Sequence, residues 1–332
     1  MSQRKHLHNE EDGRSLWGII LAGGNSSPLS EYTRRLYDDD RPKQFCAFTG
    51  KRSMVQHTLD RAEAVIESDK ILTVVSGKHL PLVREQLKNS IERSIVVQPY
   101  CRDTAPEIFL PLSRIHHQDP RSVTVIFPSG HFVLDEWRFA KHIRNAAEFA
   151  GKHPEKIVLL GVRPESDDRG FGLIEKGNAV ADDSVNKLYH VRSFTETPEQ
   201  ENYEEYFWST CIVIARTDTL MEQFRECLPD MYSAFAAYRM AAGKPEEWHA
   251  VNAAYDRMRP VNFSASVLER ISSSLCVKDI SDTGWSDWGE EHRIKEDALR
   301  YDLRLNASAA EIAEEKTDET YCLVDVKREM KK

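Results

Sequence analysis

Short apolar runs that alternate with longer amphipathic stretches restrict this chain more than any other feature. Leu16 to Ala22 is a β-rich run stopped by Gly23 and Gly24, and Ser53 to Ile66 then repeats apolar residues at helical spacing through Met54, Leu59, Ala62 and Ile66. Ile71 to Ser76, Ser94 to Val97, Val123 to Phe127 and Ile157 to Leu160 are further buried-strand candidates. Between them lie a helix around Leu80 to Leu87 and one opened by Thr104, with Pro106 in its first turn and Glu107 placed for a capping box. Asp135 can cap another helix, with Ala140, Ile143, Ala147 and Ala150 on one face. Strand and helix alternating at this pitch predict βαβ units, hence an α/β fold with a mixed, mainly parallel central sheet flanked by helices. Right-handed crossovers gather the strand-end loops at one edge. After Gly161 the strands shorten, near Gly172 to Glu175, Tyr189 to Thr195 and Ile212 to Ala215, and helices follow from Thr217 to about Met258. This part reads as a smaller lid or substrate wall on the same sheet.

Residues 15–305 therefore read as the folded unit, divided into halves of about 15–161 and 162–305. Met1 to Arg14 offers only Met1 and Leu7 as bulky apolar residues, and residues 306–332 are dense in charge around an isolated Tyr321 to Val326 patch. Neither buries enough surface to offset its ordering entropy, so 1–14 reads as disordered and 306–332 as a flexible tail. The patch is alternatively a short edge strand or a partner contact.

Charge and cysteine usage exclude several classes of function. The 45 basic and 54 acidic residues give a net charge of −9, and no block of five Lys or Arg is present, so no nucleic-acid partner is expected. No apolar run approaches the roughly 18 residues of a membrane span, so no membrane partner is expected either. The first residues lack the hydrophobic stretch of a secretory signal. The six cysteines lie far apart, without a C-x-x-C pair or zinc-type spacing. Free thiols in a reducing, cytoplasmic setting are the expectation.

The segment after the first strand carries the most chemical information: LAGG at Leu21 to Gly24, a polar loop, then RPKQF at Arg41 to Phe45. Glycines at a strand's C-terminal end let backbone N–H groups approach a phosphate or a base. The open edge of a doubly wound sheet is where such ligands sit. A lone Gly-Gly also suits an ordinary βα turn. Here it is followed by QPYCRDTAP (Gln98 to Pro106), PSGHFV (Pro128 to Val133), RGFGLIEKG (Arg169 to Gly177), FTETP (Phe194 to Pro198) and GWSDWG (Gly284 to Gly289). In this order and approximate spacing, from roughly Leu16 to Leu303, the chain resembles the sugar-phosphate nucleotidyltransferases, and among them the mannose-1-phosphate guanylyltransferases.

The resemblance implies a Rossmann-like nucleotidyltransferase fold with a nucleotide half and a sugar-phosphate half. It implies that the phosphate oxygen of mannose 1-phosphate attacks the α-phosphorus of GTP in line, pyrophosphate leaves, and Mg²⁺ neutralises the accumulating charge. Leu21, Ala22, Gly23 and Gly24 would line the nucleotide through their backbones, and Lys43 would approach the phosphates as the catalytic cation. Gln98, Arg102, Thr104 and Ala105 would face the base. Gly172, Glu175 and Glu196 would border the sugar, and Asp287 would be a metal ligand. Plainer accounts stand beside these: Lys43 as a solvated lysine, Gln98 and Thr104 as turn and cap residues, and Asp287 as a structural acceptor between Trp285 and Trp288.

The chain departs from the family pattern at the groups that carry most of that chemistry. The family loop reads G-G-x-G-T-R-L, whereas this chain has Ser26 at the third glycine and Pro28 at the arginine that clamps the departing pyrophosphate. Gly130 stands at one of two metal aspartates, which implies a weakened Mg²⁺ site resting on Asp287. Thr197 stands at the lysine that pairs with the sugar phosphate, Ser209 at an asparagine, and Cys211 at a glycine. Two functions stay open on this basis. One is a guanylyltransferase using GTP, or another nucleotide, and mannose 1-phosphate, or another sugar phosphate. The other is an impaired relative that binds a nucleotide or sugar nucleotide in a regulatory or assembly role. Homo-oligomerisation is left open, as are the base and the sugar.

Overall fold

A computed structural model describes residues 14–24, 28–88, 94–166, 168, 170–180, 186–197, 205–241 and 244–307. Residues 1–13 and 308–332, including the Tyr321 to Val326 patch, lie outside the described residues, as do Ser26, Arg169 and Pro198. The first half runs β1 (Leu16–Ala22), α1 (Ser30–Tyr37), α2 (Met54–Glu63), β2 (Ile71–Ser76), α3 (Leu80–Gln86), β3 (Ile95–Gln98), α4 (Thr104–Gln118), β4 (Val123–Pro128), β5 (His131–Val133), α5 (Glu136–Lys152) and β6 (Ile157–Val162). The second half contributes β7 (Leu173–Ala179), β8 (Leu188–Thr195), β9 (Tyr206–Arg216), α6 (Thr217–Cys227), α7 (Pro229–Ala234), α8 (Ala236–Ala241), α9 (Glu247–Arg257), α10 (Phe263–Ser266), β10 (Leu275–Asp279), β11 (Trp285–Asp287) and α11 (Glu291–Arg300).

The strands assemble into a nine-stranded sheet in the order β3-β2-β1-β4-β9-β6-β10-β8-β7, with β5 and β11 forming a separate two-stranded ribbon. Within the described sheet β8 and β9 run against the other strands, so the sheet is mixed and mainly parallel. Period-2 alternation explains why the strands read as continuous apolar runs. Trp17 and Ile19 of β1 enter one apolar layer with Phe109 and Phe224, while Ile20 and Ala22 enter the other with Ile143 and Phe149. The second half is not an appended lid: β9 threads between β4 and β6, in the middle of the sheet.

Helix starts show where local chemistry was legible. Asp135 caps α5, its side chain accepting from the Arg138 N–H at 2.9 Å. The α4 start differs from the expected Thr104/Glu107 box. Asp103 is the cap, at φ 70°, and its side chain accepts from the Thr104 N–H at 2.6 Å. Thr104 instead accepts the Phe263 N–H at 2.9 Å, and Glu107 is buried and engaged elsewhere. At the other end the backbone N–H of Asn306 donates to Phe48 O at 2.8 Å and its side chain to Ala47 and Gly50, so the folded part includes that residue.

Candidate active site

The LAGG, QPYCRDTAP and PSGHFV segments lie at the C-terminal ends of β1, β3 and β4. Leu21 and Ala22 close β1, and the Ser129 N–H donates to Leu21 O at 3.2 Å, tying the loop after β4 to it. Gln44 of the PKQF turn then clasps the glycine loop, its side-chain amide donating to Ala22 O and Gly24 O at 2.9 Å each. Sequence reasoning missed Gln44 as a site residue, although it lies inside a quoted motif.

The two glycines have different reasons to be there. A Cβ on Gly23 would lie 2.1 Å from the side-chain nitrogen of Gln98 and 2.9 Å from a Glu107 oxygen, whereas a Cβ on Gly24 would meet nothing within 4 Å. Gly23→Ala is therefore expected to destabilise the fold by about 1–3 kcal/mol through overpacking. Gly24→Ala is expected to stay within about 0.5 kcal/mol of the parent. Urea unfolding of the pair checks this, and equal midpoints would contradict the steric account.

Beneath Gly23 lies a buried polar knot. The Gly23 N–H donates to Glu107 at 2.7 Å. Burial pushes the Glu107 carboxyl up to about 7, against the lowering effect of that N–H. Gln98 is fully buried, accepts from the Tyr255 hydroxyl at 3.0 Å, and leaves its own N–H₂ without a hydrogen-bond partner. Arg102 donates to Tyr255 O at 3.3 Å and lies over the Tyr100 ring at 4.7 Å. The Ala105 N–H donates to Val261 O and the Val261 N–H to Arg102 O, each at 3.0 Å, so the turn is fastened to the second half of the chain.

Asp287 sits on β11 opposite His131 of β5, which places it beside Gly130. The Lys43 ammonium lies 3.2 Å from one Asp287 oxygen, and Arg293 lies 3.4 Å from the other. Burial works against ionisation of Asp287, but Lys43 and Arg293 outweigh it and hold the carboxyl below its usual range. Arg293 is itself fixed by Asp168, at 2.9 Å from Nε, and by the Phe171 ring 4.3 Å from its guanidinium carbon. Burial drives His131 down to about 3, so this neighbour is neutral near pH 7. Nothing in the sequence singled out Arg293 or Asp168; both act through tertiary placement.

The sugar-side residues converge less completely. A Cβ on Gly172 would lie 3.0 Å from a Glu196 oxygen, so these two expected residues are neighbours. Burial raises the Glu196 carboxyl, and Asn262 donates to it at 3.4 Å. Glu175 is engaged on the β7–β8 pair, accepting from the Ser193 hydroxyl at 2.7 Å with Arg192 at 3.7 Å. Thr197 is exposed, and Ser209 is buried. Cys211 occupies an irregularity in β9 at φ 55°, a conformation that favours glycine, which explains why the family pattern has glycine there. Its residue is open to solvent, yet the cleft walls desolvate the thiol and, with the charges of Glu196 and Asp287, push it up to about 12. It is therefore a poor nucleophile at neutral pH.

The glycine loop after β1 is thus clasped by Gln44, and the neighbouring Lys43 faces Asp287. The nucleotidyl transferase family model matches residues 17–299, and the chain belongs to that family. The mannose-1-phosphate guanylyltransferase of Escherichia coli (strain K12) is 26% identical over 317 residues, covering 92% of this chain and 64% of that protein. The enzyme of the same name from Salmonella montevideo is 27% identical over 314 residues, covering 91% and 64%. The chain thus spans under two thirds of the length of these relatives. A solved structure titled mannose-1-phosphate geranyltransferase, from Thermus thermophilus, superimposes with a TM-score of 0.67 at 22% identity, covering 83% of this chain and 76% of that one. That likeness supports the expected fold.

Proposed function

We propose that the cleft takes GTP and mannose 1-phosphate, as a mannose-1-phosphate guanylyltransferase does, in a cytoplasmic setting. The observation that carries this reading is the convergence of Lys43, the Gln44-clasped glycine loop and Asp287 at one sheet edge. In that reaction a mannose 1-phosphate oxygen bonds to the α-phosphorus of GTP as the bond to the departing pyrophosphate breaks. No covalent enzyme intermediate is required, so the chain contributes position and charge. Lys43 supplies positive charge toward the phosphates, Gln44 sets the loop, and Gly172 with Glu196 borders the sugar.

A second reading, a family member that binds these ligands with little turnover, is favoured by one specific arrangement. Lys43 is drawn onto Asp287 over Gly130, and Pro28 offers no cation where the family pattern has arginine. Loss of one preorganised charge-stabilising group costs about 10²–10³ in rate, and of an arginine finger about 10³–10⁵. Purified protein with GTP, mannose 1-phosphate and Mg²⁺, monitored for pyrophosphate, separates the readings. Under the first, release rises linearly with enzyme. Under the second, release matches the enzyme-free control while calorimetry still detects nucleotide binding.

A further inference from the structure

We propose that Lys43 and Arg293 occupy the place of a divalent metal in this cleft, so that nucleotide phosphates bind here without one. The inference rests on the nucleotide reading above for the identity of the anion. Its metal part rests on geometry alone.

Gly130 offers no side-chain ligand atom, its carbonyl accepts the Trp288 backbone N–H at 3.1 Å, and the space a side chain would need holds the tip of Lys43. A Cβ at position 130 would lie 2.5 Å from Lys43 Cε and 2.6 Å from its Nζ. A carboxylate at 130 would require the Lys43 tip to move aside. Asp287 is equally committed, one oxygen facing Lys43 at 3.2 Å and the other facing Arg293 at 3.4 Å. A magnesium ion needs an oxygen at about 2.0–2.1 Å and near-octahedral surroundings, so it would have to expel one of these cations. Arg293 is not readily expelled, being buried and fixed by Asp168 and Phe171. Among the described residues no group of three or more His, Cys, Asp or Glu could hold a metal ion.

Two carboxylates, Asp168 and Asp287, face two fixed cations, with Glu290 adding a longer contact to Arg293 at 3.6 Å. The Lys43 side chain is 25% exposed, so its ammonium keeps a flank open to the cleft. An ammonium has three donors and can face phosphate oxygens while it stays on Asp287. Residues of the chain thus supply what an ion supplies elsewhere.

The test uses the full chain with two probes. Mn²⁺ titration followed by electron paramagnetic resonance is expected to find no site tighter than about 1 mM in the parent. Gly130→Asp is expected to gain at least about tenfold in Mn²⁺ affinity, and Gly130→Asp with Lys43→Met, which removes the steric conflict, more still. Calorimetry with GDP-mannose in EDTA and in Mg²⁺ is expected to give Kd values within about threefold, and Lys43→Met to weaken binding in EDTA by about tenfold or more. A micromolar Mn²⁺ site in the parent overturns the proposal, as does binding that Mg²⁺ supports and EDTA abolishes. Failure of both GDP-mannose and GTP to bind in either buffer overturns the nucleotide reading and the phosphate part with it. The Mn²⁺ titration still decides the metal part in that case.

Discussion

Trp288→Ala is expected to cost about 3–5 kcal/mol of folding stability, the range for deleting a large buried aromatic. Trp288 is 2% exposed and stacks on Phe132 at 4.6 Å with an interplanar angle of 3°. It also meets Phe48 edge-on at 6.0 Å, and its indole N–H donates to Asp297 at 2.8 Å. Truncation opens a cavity and strands a buried carboxylate acceptor, two costs that add. Trp288→Phe keeps the stack and loses the hydrogen bond, so it is expected to cost about 1–3 kcal/mol. Guanidinium unfolding of both variants checks this, and an alanine cost below that of phenylalanine would refute it. The effect reaches the cleft because Asp287 is the preceding residue, and the backbone N–H of Trp288, which the indole's packing holds in place, donates to Gly130 O at 3.1 Å. Loss of the indole is expected to loosen the ribbon on which the Lys43–Asp287 pair depends.

The second large effect belongs to Glu107 and depends on pH. Its carboxyl is raised by burial from 4.5 to about 7, so the folded chain retains a proton that the unfolded chain releases near pH 4.5. With a raised acid the folded state binds more protons, and stability falls as pH climbs between those values, levelling off above about 7. At 1.36 kcal/mol per pKa unit, the whole loss is about 3 kcal/mol. Glu107→Gln keeps a carbonyl oxygen for the Gly23 N–H and removes the ionisation. The variant is expected to match the parent near pH 4.5 and to exceed its stability by up to about 3 kcal/mol at pH 8. Urea midpoints at the two pH values measure it, and a gap of equal size at both would show that ionisation is not the cause.

Much of the fold was legible because apolar runs were bounded by abrupt stops. Leu16 to Ala22 and Ile71 to Ser76 coincide with β1 and β2, each ended by glycine. β10 was not legible, since it buries Lys278 and Asp279, and two charged residues disguise a central strand. Lys278 illustrates the cost of such placement: burial lowers its ammonium to about 8. β5 and β11, of three residues each, are too short to show a period. Gly23, Gly24 and Lys43 could be singled out as candidates because their motifs are local. Arg293 escaped, and Glu107 was read as a capping residue, because their partners Asp168 and Gly23 lie far along the chain, and the Asp103 cap was displaced by one position from the threonine that looked suited to it.

The central position of β9 bears on how the protein is made. When the ribosome has delivered everything through β6, β4 and β6 are both present, but the strand that lies between them ends only at Arg216. At about 5–20 residues per second, several seconds pass before that gap can close. During that interval two apolar strands hold unpaired edges, the condition that invites mispairing. A fragment ending near residue 161 would keep those edges open permanently, so the nucleotide half is expected to be insoluble when expressed alone.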